Sequence, residues 1–244
     1  MLESSIFSRN TNEIELYHGS TVEVRQPLFG YGRFDNDYGQ GFYTTAIYDK
    51  AISWAKTMGN ECNAVVNTYT IDLSKLRVLN LNEYGPLAWI AEIAANRPIN
   101  SELAKDFLPD FVSMYKVDTS TADVIIGYRA DDSYTDVVGA FCDGLLNCDE
   151  VKRLFYKGSL GEQYFIKSAK AFDLLHFESS QNVTMLEIES ESEEEMLARN
   201  EVYKFINQRR LAIIKRYQVP PITIIDAIAN RYVYNKELEY YEMV

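Results

Sequence analysis

EIELYHGS, residues 13–20, alternates polar and apolar side chains for five residues and then stops at His18-Gly19-Ser20. Period two marks a short strand, because successive strand side chains point to opposite faces. PLFGYGRFDNDYGQG (27–41) follows. Its glycines and its Asn and Asp residues suit turns, so it reads as a loop. GFYTT (41–45) reads as a second short strand. The segment 46–58 then carries Ile47, Ala51, Trp54 and Ala55 at helical spacing.

The same reading continues outward. NAVVNTYTI (63–71) and LRVLNL (76–81) look like strands, and PLAWIAEIAAN (86–96) is helical, with Pro86 at a suitable first turn. Residues 101–116 form a helical piece expected to break at Pro109. DVIIG (123–127) is a compact apolar strand, GYRADDSY (127–134) a polar loop, and helices are expected over 135–147 and 150–156. After KGSLGE (157–162), QYFIKS (163–168) is a strand. AKAFDLLHF (169–177) is a short helix running into another strand. Composition shifts after Ser180: EIESESEEE (187–195) is an acidic run, and 194–217 fits an amphipathic helix stopped by Pro220-Pro221. These shifts predict a domain over 1–180 and an acidic linker with a helical extension over 181–244.

Composition removes several functions. The chain has 244 residues and a net charge of −12, which argues against a general nucleic-acid coater. Two histidines, His18 and His176, exclude a multi-histidine metal centre. Three cysteines with no CxxC give neither a disulfide framework nor a zinc site, so no metal is expected. Neither an apolar leader nor a membrane-length apolar run occurs, and a reducing cytoplasm is the expected location. GxSxG, the phosphate-binding GxxxxGK[ST] and GxGxxG are all missing.

What remains is a set of polar residues at strand ends: His18 closing the first strand, Tyr43 and Thr44-Thr45 closing the second, and Glu162-Gln163 opening a late one. A histidine, an aromatic face and an acid or amide on neighbouring strands suit an extended ligand with sugar hydroxyls and a flat ring. YHGS, then DYGQGFYTT and a helix with AISWA, resembles the ADP-ribosyltransferase superfamily in its histidine–tyrosine–glutamate class. DVIIGYRADDSY and LGEQYFIKSAKAF look like an uncharacterised bacterial branch of it, covering roughly residues 13–178. Genes of that branch often lie beside small helical proteins in toxin–antitoxin-like pairs.

The resemblance implies an α+β fold: a split, mostly antiparallel sheet core with peripheral helices. It implies NAD as substrate. His18 would bind the adenine-side ribose, and the Gly19 backbone the carboxamide. Tyr43 would stack on nicotinamide. Ser20, Gly41, Phe42, Thr44 and Thr45 would line the pocket, and loop 27–40 would cover the dinucleotide. The family's glutamate falls at Gln163, with Glu162 one residue earlier. An amide stabilises positive charge only as a dipole. A one-residue shift of register would make Glu162 the acid instead. Arg129 would pair with a diphosphate, and Asp131 and Asp132 would serve the acceptor side. The expected activity is mono-ADP-ribosyl transfer to a protein or nucleic acid by a bacterial toxin or defence effector, partnered by a small helical antitoxin. NAD glycohydrolysis and a degenerate NAD- or partner-binding module are the alternatives. The blander roles are a core aromatic for Tyr43, a solvated strand start for Gln163, and turn or helix-start residues for Asp131 and Asp132.

Overall fold

The structure is a computed structural model that describes residues 13–58, 64–99, 101, 104–129, 132–157 and 161–244. Seven strands form one mixed sheet in the order β4-β5-β6-β2-β1-β3-β7. They are β1 (Glu13–Ser20), β2 (Phe42–Thr45), β3 (Val65–Asp72), β4 (Val78–Asn80), β5 (Val124–Tyr128), β6 (Glu162–Ile166) and β7 (His176–Asn182). Only β4 and β5 pair in parallel; the other neighbours are antiparallel. The helices are α1 (Tyr48–Met58), α2 (Gly85–Asn96), α3 (Ala104–Tyr115), α4 (Asp132–Cys142), α5 (Cys148–Lys157), α6 (Ala169–Asp173), α7 (Met185–Ile214) and α8 (Ile224–Ala229). A hairpin of β8 (Tyr232–Asn235) and β9 (Tyr240–Met243) ends the chain. This is an α+β architecture.

Strand alternation divides the core. Ile125 and Phe165 face a large cluster with Trp89, Phe111 and Phe141, while Val124 and Ile166 face a smaller one with Leu16, Ile71 and Ala171. Val202 and Ile206 of α7 and Ile224 and Ala227 of α8 join the large cluster. The C-terminal segment therefore packs on the body of the protein. The boundary expected near residue 180 falls inside β7, which pairs along β3, and the acidic run lies within α7 instead of a linker.

Two neighbours, β1 and β2, are joined by a single registered pair, Tyr17 with Thr45. β1 pairs along its whole length with β3, and β2 along its whole length with β6. The sheet is thus two halves that splay apart beyond that pair. Gly19 makes the packing beside the splay feasible: a Cβ there would lie 2.0 Å from the Ala51 carbonyl oxygen and 2.5 Å from the Ala55 nitrogen. α1 therefore rests directly on the β1 backbone.

α3 runs through Pro109 without a break. Phe111, fully buried in the large cluster, holds the second half of the helix in place. That burial outweighs the hydrogen bond that proline cannot donate.

Candidate functional site

A cleft of about 810 Å³ opens at the splay between the two halves of the sheet. That is within the roughly 300–1,000 Å³ typical of small-molecule sites. His18, Phe42, Tyr43 and Gln163 line it from β1, β2 and β6, and the loop between β1 and β2 forms one wall.

Polar side chains tie that loop down at both ends. Asn67 of β3, wholly buried, donates to the carbonyls of His18 and Val22 and accepts from the Val24 amide at 2.9 Å. Tyr69 donates to the Val24 carbonyl. At the far end the Tyr38 hydroxyl donates to the Tyr128 carbonyl at 2.8 Å, and the Tyr43 hydroxyl donates to the Gly39 carbonyl at 2.7 Å. Gly39 sits at φ +83°, a left-handed turn that glycine adopts at no steric cost. Between the anchors, Leu28, Phe29, Tyr31 and Phe34 stay exposed.

His18 bridges the splay. Its Nδ1 lies 2.8 Å from the Tyr43 carbonyl oxygen, and its ring packs 4.4 Å from the ring of Phe42. Burial pushes its pKa down to about 4, with the Tyr43 bond opposing that shift. The imidazole is neutral at pH 7. A carbonyl only accepts, so Nδ1 carries the proton and Nε2 is left as an acceptor.

Gln163 is 2% exposed, whereas Glu162 is exposed and accepts from Asn82 at 2.6 Å. Gln163 shares a sheet face with Phe165, across from Thr45, and Glu162 points to the other. Of the two, Gln163 faces the cleft. Its Nε2 donates to Asp37 Oδ2 at 2.9 Å and to the Tyr128 carbonyl at 3.2 Å.

The other expected residues divide. Gly41 and Arg129 line the cleft, Arg129 with its guanidinium 5.1 Å from the Trp54 ring. Gly19 is covered by α1, and Ser20 accepts from the Val22 amide. The Thr44 hydroxyl donates to the Tyr164 carbonyl at 2.8 Å, and Thr45 accepts from the Ile47 amide as the chain turns into α1. Gly19, Ser20, Thr44, Thr45 and Glu162 are not part of the cleft wall. Asp131 lies outside the described residues, and Asp132 begins α4.

Sequence reasoning passed over Asp37, Trp54 and three more arginines, Arg33, Arg97 and Arg199. Arg97 pairs with Asp37 at 2.9 Å, and Arg33 with Asp35 at 2.6 Å. With Arg129, four guanidiniums line one cleft of a chain whose net charge is −12. That concentration of guanidiniums, two of them paired with Asp35 and Asp37, suits an anionic ligand.

A family described as Protein of unknown function (DUF3990) matches residues 14–177. The chain belongs to that family. No curated protein and no solved structure matches. Of the wall residues, only Arg199 falls outside the DUF3990 segment. No helix among the described residues is long and apolar enough to cross a membrane.

Proposed function

We propose that the cleft binds NAD and that the protein is a mono-ADP-ribosyltransferase, acting on a protein or nucleic acid as a bacterial cytoplasmic toxin or defence effector. The observation that carries this reading is the meeting of His18, Tyr43 and Gln163 in one arginine-walled cleft at the splay of the sheet. The order of these residues resembles the ADP-ribosyltransferase superfamily. A sheet joined at its centre by one pair suits that superfamily's split core.

The chemistry fits the groups. His18 Nε2 is an acceptor for a ribose hydroxyl. The Tyr43 ring offers a flat surface, its hydroxyl held in the Gly39 turn. Arginines on both sides suit a diphosphate. In the reaction the bond between the nicotinamide nitrogen and ribose C1′ breaks, and its electron pair neutralises the pyridinium. C1′ becomes cationic, the acceptor's nucleophile bonds to it, and the nucleophile's proton passes to water. Oriented negative potential near C1′ lowers the barrier.

The test uses NAD labelled in its adenylate half, incubated with the protein and a cell lysate. Nicotinamide release with label on a macromolecule is expected, and H18A/Y43A should lower both at least 100-fold. Free ADP-ribose alone would make the protein a glycohydrolase. Equal, undetectable release from both proteins would rule out the enzymatic reading.

A further inference from the structure

We infer that Asp37 is a positioning residue that makes Gln163 an oriented acceptor, so that the loop supplies the negative charge the strand lacks. The inference rests on the proposed ribosyl transfer and names the charge that serves it. Gln163 Nε2 donates to a carboxylate and a carbonyl, which accept only, and the Tyr38 hydroxyl beside it already gives its own proton to the Tyr128 carbonyl. Both N–H bonds of the amide are engaged, and turning it over would press Oε1 against two other oxygens. Oε1 is therefore fixed as the remaining atom, and it accepts no hydrogen bond among the described residues.

Asp37 is itself held rigidly. Arg97 donates to its Oδ1 at 2.9 Å, and Asn96, one residue earlier at the end of α2, donates to its carbonyl at 3.2 Å. Its neighbour Tyr38 packs over Gly127, where a Cβ would lie 2.2 Å from the tyrosine oxygen. Among the described residues lining the cleft, Asp37 is the only acid. A hydrogen bond from amide to carboxylate polarises the amide and raises the negative charge on Oε1. Charge from the loop thus reaches the ligand through a strand residue that has none. A glutamate at 163 would instead meet Asp37 at hydrogen-bonding distance, and two carboxylates that close cannot both stay ionised cheaply.

The experiment compares wild type, D37A, Q163E and the exchange D37N/Q163E, each shown to be folded by thermal melting. Nicotinamide release reports kcat, and calorimetry reports NAD affinity. D37A is expected to keep NAD affinity within severalfold and to lose on the order of 100-fold in kcat; D37N stands in if D37A does not fold. Q163E should lose a similar factor at neutral pH. The exchange restores one carboxylate and one amide in reversed positions, and should regain at least tenfold over either single variant. An unchanged kcat in D37A, a Q163E enzyme as active as wild type, or an exchange no better than the single variants would overturn the inference. A cycle of D37A, Q163A and their double variant in melting temperature needs no ligand. If wild type releases no nicotinamide, the NAD reading fails, and an additive cycle then removes the pair while a non-additive one retains it.

Discussion

Burial beside the Phe42 ring holds the His18 imidazole neutral down to about pH 4, against the hydrogen bond from Nδ1 to the Tyr43 carbonyl, which favours the protonated ring. In the unfolded chain it takes up a proton near pH 6.5. Between those values the unfolded state binds more protons, so His18 stabilises the fold fully above pH 6.5 and loses that contribution as pH falls through 4. The loss is about 2–3 kcal/mol. Urea denaturation of wild type and H18Q at pH 7 and pH 4 checks it: the gap between them should shrink by roughly that amount on acidification. A constant gap would mean that His18 is not held neutral. His18 and Tyr43 could be picked out as cleft residues because each lies in a short string beside glycines, His18 two residues before the end of β1 and Tyr43 second in β2. Asp37 could not, since in FDNDYGQG an aspartate looks like any turn former. Its partners Arg97 and Gln163 are distant in sequence and meet it only through the sheet and the end of α2.

At the scale of elements, the contact of α1 with β1 depends on one missing side chain. G19A should destabilise the protein by about 2–3 kcal/mol, because its methyl group collides with helix backbone that cannot rotate away. G30A is the comparison. Nothing lies within 4 Å of a Cβ there, and only the φ of +77° is strained, so a cost of about 1 kcal/mol is expected. Chemical denaturation of both variants decides it, and equal losses would show that the close approach does not limit packing. Short-range patterns located β1, β2, β5 and β6, whose alternation is local. They failed at Pro109 because burial of Phe111 is a tertiary effect, invisible to a rule about helix breakers. They also placed the start of α7 too late, since an acidic helix start and an acidic linker have the same composition.

Across the whole molecule, the segment after residue 180 is part of the body and reaches the site. Val202 and Ile206 of α7 are nearly fully buried in the main core, and Arg199, about one turn before Val202, lines the cleft. The helix is thus fixed by its apolar side while it presents a guanidinium to the cleft. On the proposed NAD reading, a net charge of −12 repels the ligand at long range, and the cleft arginines offset that locally. Arg199 differs from Arg97 and Arg129 in lying beyond the matched segment, on α7. R199E should fold with a melting temperature close to wild type, because the buried contacts of α7 remain. Its affinity for NAD or ADP-ribose should fall about tenfold or more, the scale of one hydrogen bond to a charged group together with a reversed charge. The dependence of affinity on salt should also weaken, because fewer charges attract the ligand. Calorimetry at two ionic strengths measures both. Unchanged affinity and salt slope in a folded R199E protein would confine the ligand to the sheet side of the cleft and leave α7 a purely structural brace.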